Sequence, residues 1–206
     1  GAALAWTTWE DIIEQPGGFP TGGGTLMVTT LGWRGKTEAV PVSGLLVNPT
    51  WGDDGRQLAV LRGVGGAFEP ELGAEPYYEI LLLTRRLGRW NIRVVDTIAG
   101  RDASHRAPQL YLRQGRLWYL EDRSAEGSMP LETRLVSMKI DGTDKHTHLV
   151  LPGAGELIPS PDFSQVAYRT EHQVHVVAMP GDGEDRDVTK RSAARLTDVV
   201  GDWLSW

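Results

Sequence analysis

The chain has 206 residues, 40% hydrophobic and 23% charged, with a formal net charge of −6 and no cysteine. That size and composition fit one globular domain, or part of a larger one, able to bury a real core. The acidic balance excludes nucleic acid as a main partner, since phosphate binding needs a basic face. The missing cysteines exclude disulfides, thiolate zinc sites and a cysteine nucleophile, and no apolar run approaches the ~20 residues that span a bilayer.

The opening stretch GAALAWTTWEDIIEQ lacks the basic start and long apolar run of a signal peptide. Within it, Thr8–Gln15 is the best helix candidate, with Thr7 or Thr8 as N-cap and Pro16-Gly17 as the stop. Residues 1–25 are therefore expected to be an N-terminal segment with a short helix. TKRSAARL, Thr189–Leu196, is a second short helix or a loop. Elsewhere short apolar runs alternate with turns; the whole chain has 25 Gly and 12 Pro, and its 8 Trp are many for this length. That pattern points to an all-β sandwich, barrel or propeller.

From Leu26 onward the chain repeats itself. Segments beginning at Leu26, Asn91, Arg134 and Gln173 each carry an alternating strand, a glycine-containing turn, a second strand or loop, and a turn into another strand. The inner strand follows Pro49-Thr50-Trp51, Ile158-Pro159-Ser160 and Trp203-Leu204-Ser205 in the first, third and fourth segments, and more loosely Ala107-Pro108-Gln109-Leu110 in the second. Successive starts lie 43 and 39 residues apart, after a first interval of 65 lengthened by an insert beginning at Val64. A period of ~40–45 residues with four strands per unit is that of a propeller blade. We therefore expect an all-β fold over residues 26–206: a β-propeller with about four blades present, either an incomplete ring or a fragment of a larger propeller.

Such a blade cannot bury its faces alone and must stack on its neighbours. QLAVL (Gln57–Leu61), RLWYL (Arg116–Leu120) and QVAY (Gln165–Tyr168) are the apolar strands expected nearest the axis. Asp54-Gly55 and Asp141-Gly142 supply the positive φ that tight hairpin turns need. Trp51, Trp118 and Trp206 are large enough to fill gaps between blades.

NPTWGDDGRQLAVLRG and IPSPDFSQVAYRT resemble the TolB-like β-propeller repeat, whose core reads roughly W-S-P-D-G-x-x-I-A-F. Gly52-Asp53 departs from Ser-Pro in the first copy, and Phe163 from Gly in the later one. Together with RLVSMKIDGTDKHTHLVLPGAGELIPSPDFSQVAY, these segments are similar to the propeller that precedes the metal-dependent barrel in large bacterial amidohydrolases of the imidazolonepropionase-like group. Similar propellers sit beside the catalytic domain of prolyl-oligopeptidase-type serine peptidases. The resemblance implies a non-catalytic propeller that scaffolds or gates the active site of a larger hydrolase acting on C–N bonds. The partner would be the remainder of the parent chain or its catalytic domain. Zinc or another divalent metal would belong to that domain and not to this segment. It also implies a periplasmic or secreted location. RLTDVVGDWLSW stops where the family pattern continues into Pro-Asp-Gly and another strand, so a longer or processed parent is expected.

Several motifs invite chemistry. GWRGKT (Gly32–Thr37) ends like a phosphate loop, but Thr30 stands where its first glycine belongs and Pro41 follows where a helix should run. A turn between strands fits better. His146-Thr147-His148 has the His-x-His form used by amidohydrolases, and i, i+2 residues share a strand face. A metal would need further ligands, so a solvated strand face is expected. His172 and His175 stand three apart and would face opposite ways. GDGEDRD offers Asp182, Glu184, Asp185 and Asp187 to calcium without EF-hand spacing, so we expect a solvated loop. Asp96, Asp141 and Asp162 are expected to serve turns and blade edges. There is no G-x-S-x-G elbow. No catalytic, cofactor or metal residue is assigned within the chain. The alternative is a stand-alone propeller module binding a peptide, sugar or protein, with Trp9, Trp33 and Trp90 stacking on the ligand. Packing inside the core is the plainer role for those three.

Overall fold

The computed structural model describes residues 3–13, 21–31, 35–64, 77–99, 109–123, 132–152, 156–169, 174–179, 186–187 and 194–197. Every regular element among them is a strand, so no helix there is long and apolar enough to cross a membrane. The fold is all-β, built of several largely antiparallel sheets. Two compact units divide it: Gly1–Tyr119 with Met138–Asp144, and Leu120–Ser137 with Lys145–Trp206.

The first sheet is a six-stranded meander of β1 (Ala3–Ile13), β2 (Thr21–Thr30), β3 (Thr37–Trp51), β4 (Gln57–Val64), β5 (Tyr77–Arg86) and β6 (Arg89–Ala99), in that order. The helix expected over Thr8–Gln15 is not formed. Its described part, Thr8–Ile13, lies in β1, where Thr8 sits opposite Thr25 and Trp9 opposite Gly24. Pairing along a whole neighbouring strand outweighs the capping and stop signals, which are worth only about 1 kcal/mol each. Of the second helix-or-loop candidate, Ala194–Leu196 is likewise strand.

β3 changes partner halfway. Thr37–Gly44 pairs with β2, and Leu45–Trp51 pairs with β4. The switch falls at Gly44, whose φ of 123° favours glycine. Opposite it, a Cβ on Gly24 would lie 2.6 Å from the Thr8 carbonyl oxygen. Only glycine lets the three backbones come this close. The two halves of the sheet then share one core. Leu26, Val28, Val40 and Val42 from one half cluster with Leu58, Val60, Leu81 and Leu83 from the other, and Trp51, Trp90 and Ile92 pack against the cluster. In β4 the residues of the opposite face, Ala59 and Leu61, are also fully buried, so the strand is covered on both sides. A continuous apolar run such as QLAVL is what a doubly covered strand requires.

The second sheet runs β14 (Arg186–Asp187), β10 (His146–Pro152), β9 (Glu132–Lys139), β8 (Arg116–Arg123), β7 (Leu110–Arg113). The third runs β11 (Glu156–Pro159), β12 (Gln165–Arg169), β13 (Val174–Ala178), β15 (Ala194–Thr197). Disregarding the short parallel β14, each of these is a four-stranded antiparallel meander, as is the second half of the first sheet. The three apolar runs singled out in the sequence are β4, β8 and β12, the second strand of each meander. The repeat segment starting at Arg134 therefore straddles two sheets, taking β9 and β10 of one and β11 and β12 of the next, whereas the segment starting at Leu26 stays within the first sheet, from β2 to β4.

Candidate functional site

The hairpin turns gather most of the polar side chains singled out in the sequence. Between β3 and β4, Asp54 Oδ1 accepts the Arg56 N–H at 2.9 Å and Gly55 takes φ 62°. Between β9 and β10, Asp141 Oδ1 accepts from Thr143 N at 2.9 Å and from Thr143 Oγ1 at 2.6 Å, and Gly142 takes φ 87°. Between β11 and β12, Asp162 accepts from Ser160 Oγ at 2.6 Å, Ser164 N at 3.1 Å and Ser164 Oγ at 2.8 Å. Here the positive φ, 59°, belongs to Phe163. Both Asp-Gly pairs thus do what the sequence asks of them.

These bonds fix the chemistry of the carboxylates. The Ser160 hydroxyl first, then the Ser164 amide and hydroxyl, hold Asp162 down to about 2. The Thr143 hydroxyl and amide, with Lys139 nearby, lower Asp141 as well. A carboxylate stabilised as an anion by its own turn makes a poor general base. Asp96 is on β6, the last strand of its sheet, and accepts from Tyr119 Oη at 3.2 Å. Burial raises Tyr78 to about 12 and raises Tyr168, so neither phenol gives up its proton near neutrality.

The histidines depart from expectation. His146-Thr147-His148 lies at the start of β10, but not on a solvated face: His148 is fully buried. The cause is a β-bulge. Thr147 pairs with Val136 and Leu149 with Leu135, which leaves His148 between them and turns it inward. There its Nε2 shares a 2.7 Å hydrogen bond with Ser137 Oγ, and the His146 ring centroid is 6.3 Å away. The Ser137–His148 distance is that of a nucleophile and its base. Both residues have zero exposure, so no substrate carbonyl reaches the hydroxyl, and the pair acts as a polar tie in an apolar sheet. Among the described residues no group of three or more His, Asp or Glu is placed to hold a metal. His175 stacks on Tyr168 with ring centroids 5.0 Å apart. His172, and Asp182, Glu184 and Asp185 of the acidic loop, lie outside the described residues.

The phosphate-loop lookalike closes as a turn, with Thr30 N donating to Lys36 O at 3.1 Å and Lys36 N to Thr30 Oγ1 at 3.1 Å. Of the three tryptophans weighed for ligand stacking or core packing, Trp33 and the Trp9 side chain lie outside the described residues. Trp90 is half-buried on the core cluster, and its Nε1 donates to Glu38 Oε1 at 3.0 Å. Trp118 is buried and Trp51 packs on the core cluster, while Trp206 lies outside the described residues.

One polar contact was not anticipated. Asp53, in the β3–β4 turn, accepts the Gln114 N–H at 2.7 Å and pairs with Arg113 at 3.2 Å. Arg113 also donates to the Trp51 carbonyl at 3.1 Å, and Arg116 is held by Asp144 at 2.9 Å. The turn of the first sheet is so fastened to the β7–β8 turn of the second, over Gly52, where a Cβ would meet Leu112 at 3.1 Å. The β7–β8 turn carries the tetrapeptide Arg-x-Gly-Arg at 113–116, which also stands at 86–89.

No family model matches the chain, and no curated protein does. Among solved structures the fold is similar to that of Pyrococcus horikoshii acylaminoacyl peptidase, with a TM-score of 0.50 and 12% sequence identity over 93% of this chain. The chain spans 33% of the length of that protein. At this identity the likeness is one of fold.

Proposed function

We propose that the chain is a non-catalytic β-propeller portion of a larger bacterial hydrolase acting on C–N bonds, and that it shapes or gates access to that enzyme's active site. The observation that carries this is the recurrence of one unit, a four-stranded antiparallel meander, in three sheets, in a fold similar to part of an acylaminoacyl peptidase three times its length. Asp53, Asp54, Asp141, Asp162 and His148 support it, because each is occupied in holding a turn, a bulge or a neighbouring sheet. A metal-dependent amidohydrolase and a prolyl-oligopeptidase-type peptidase both satisfy the resemblance, and the structural likeness favours the peptidase type. A location outside the cytoplasm belongs to the same proposal.

The deciding experiment is the intact mass of the natural polypeptide, with peptide sequencing beyond Trp206. A much longer chain, or a co-purifying chain carrying a serine triad or a metal-ligand set, supports the proposal. A mass near 22.6 kDa overturns it and leaves a small binding module.

A further inference from the structure

The two Arg-x-Gly-Arg tetrapeptides fold into the same turn. Leu87 and Gly88 have φ of 49° and 76°, and Gln114 and Gly115 have 53° and 71°. Both are two-residue hairpins with two positive φ angles in succession, the type I′ form. Arginines sit opposite each other at each end, Arg86 with Arg89 and Arg113 with Arg116. Like charges so placed repel.

At the β7–β8 turn the repulsion is answered. Asp53 takes Arg113 and the Gln114 amide, and Asp144 takes Arg116. At the β5–β6 turn, among the described residues, nothing answers it. Arg86 and Arg89 are exposed and have no ion pair, while the adjacent Arg85 is taken by Glu38 at 2.9 Å. The tip residue is not the Asn, Asp or Gly that this turn prefers but a leucine, and its relative exposure is 103%. A fully solvated leucine in a left-handed conformation gains nothing from burial and costs about 1 kcal/mol of backbone strain.

We propose that the Arg86-Leu87-Gly88-Arg89 tip is a docking point for an acidic protein surface outside these 206 residues. The occupied turn shows what that surface presents: a carboxylate placed to receive a guanidinium and the tip amide, as Asp53 does. Beside it lies an apolar recess for Leu87. The partner is a protein and not an anionic membrane, because two unpaired arginines and one leucine fall short of the ~4–8 basic residues of a lipid-binding cluster. Arginine's fixed fork suits a carboxylate on a folded partner, and arginine is among the residues enriched at interface hot spots.

The test uses the natural full-length protein in extracts of its source organism, carrying Arg89→Lys. A zero-length carbodiimide then joins the new amine to any carboxylate in contact. We expect a cross-linked peptide containing an Asp or Glu from outside residues 1–206, and roughly tenfold less of it when Leu87→Asp is added. Both positions are exposed, and a thermal midpoint no lower than the parent's shows that the variants fold. No cross-link, a cross-link confined to residues 1–206, or one indifferent to Leu87→Asp overturns the proposal. So does Leu87-dependent sedimentation with phosphatidylserine vesicles in place of a protein cross-link.

Discussion

The β3–β4 turn and the β11–β12 turn have one backbone and two different ways of holding it. Gly52 N bonds Gln57 O at 2.9 Å and Gly55 N bonds Gly52 O at 2.9 Å; Ser160 N bonds Gln165 O at 2.8 Å and Phe163 N bonds Ser160 O at 2.8 Å. The left-handed residue has φ 62° in one and 59° in the other. In the first turn it is a glycine, and nothing lies within 4 Å of where its Cβ would be. In the second it is a phenylalanine with 7% exposure, between exposed Asp162 and Ser164. The aspartate one position earlier accepts the same amide in both. Strand pairing and that aspartate set the turn, and the left-handed residue need only tolerate it. Glycine does so without cost, whereas phenylalanine offsets its strain by burial.

The sharpest way to break this comparison is Phe163→Gly, which makes the second turn like the first. Relief of left-handed strain returns about 1–2 kcal/mol, but losing a buried phenyl costs about 3–5 kcal/mol. We expect the variant to be less stable by about 2–3 kcal/mol in urea unfolding. A gain in stability would show that burial does not hold Phe163 in place. The converse change, Gly55→Ala, meets no neighbour and adds strain alone, about 1 kcal/mol. A loss well above that, by the same measurement, would mean that the first turn is more crowded than its geometry indicates.

A smaller effect separates the two aspartates' surroundings. Asp162 titrates at about 2 in the folded chain, below its ordinary 3.8. The unfolded chain therefore binds its proton first as pH falls. The stability that Asp162 contributes is complete above pH ~4 and disappears as pH drops through ~2. Asp162→Asn should flatten the fall in thermal midpoint across that window and leave its slope above pH 5 unchanged. Equal slopes in both proteins below pH 4 would remove the serine hydroxyls from the account.

How much of this was legible in the sequence follows from range. Asp54-Gly55 and Asp141-Gly142 act within four residues, and their turns could be read directly. The apolar runs QLAVL, RLWYL and QVAY announced buried strands because both faces of each run are apolar. The N-terminal strand reads as a helix because Thr8 and Pro16-Gly17 mimic helix ends, while the pairing that decides the matter comes from Thr21–Thr30. The alternation of Ala3 and Ala5 with Leu4 and Trp6 was the signal available. The burial of His148 was not legible, since a one-residue bulge inverts a face without marking the sequence. The Arg113–Asp53 contact joins two separate sheets, and no local pattern reports such a meeting.

The smallest effect tests the contrast between the two Arg-x-Gly-Arg turns. Leu87→Asn places at the β5–β6 tip the residue type that the type I′ turn favours, and removes a side chain that touches nothing. In the isolated chain this should stabilise by ~0.5 kcal/mol, as relief of left-handed strain without loss of burial requires. The comparable change at the other tip, Gln114→Asn, should be near neutral, since the contact to Asp53 is made by the backbone amide and survives it. A more stable isolated chain that nonetheless loses its cross-link in the full-length protein would show that Leu87 is kept for its partner and not for the fold. If Leu87→Asn instead destabilised the isolated chain, the leucine would have a contact within it, and the tip could not be read as unoccupied.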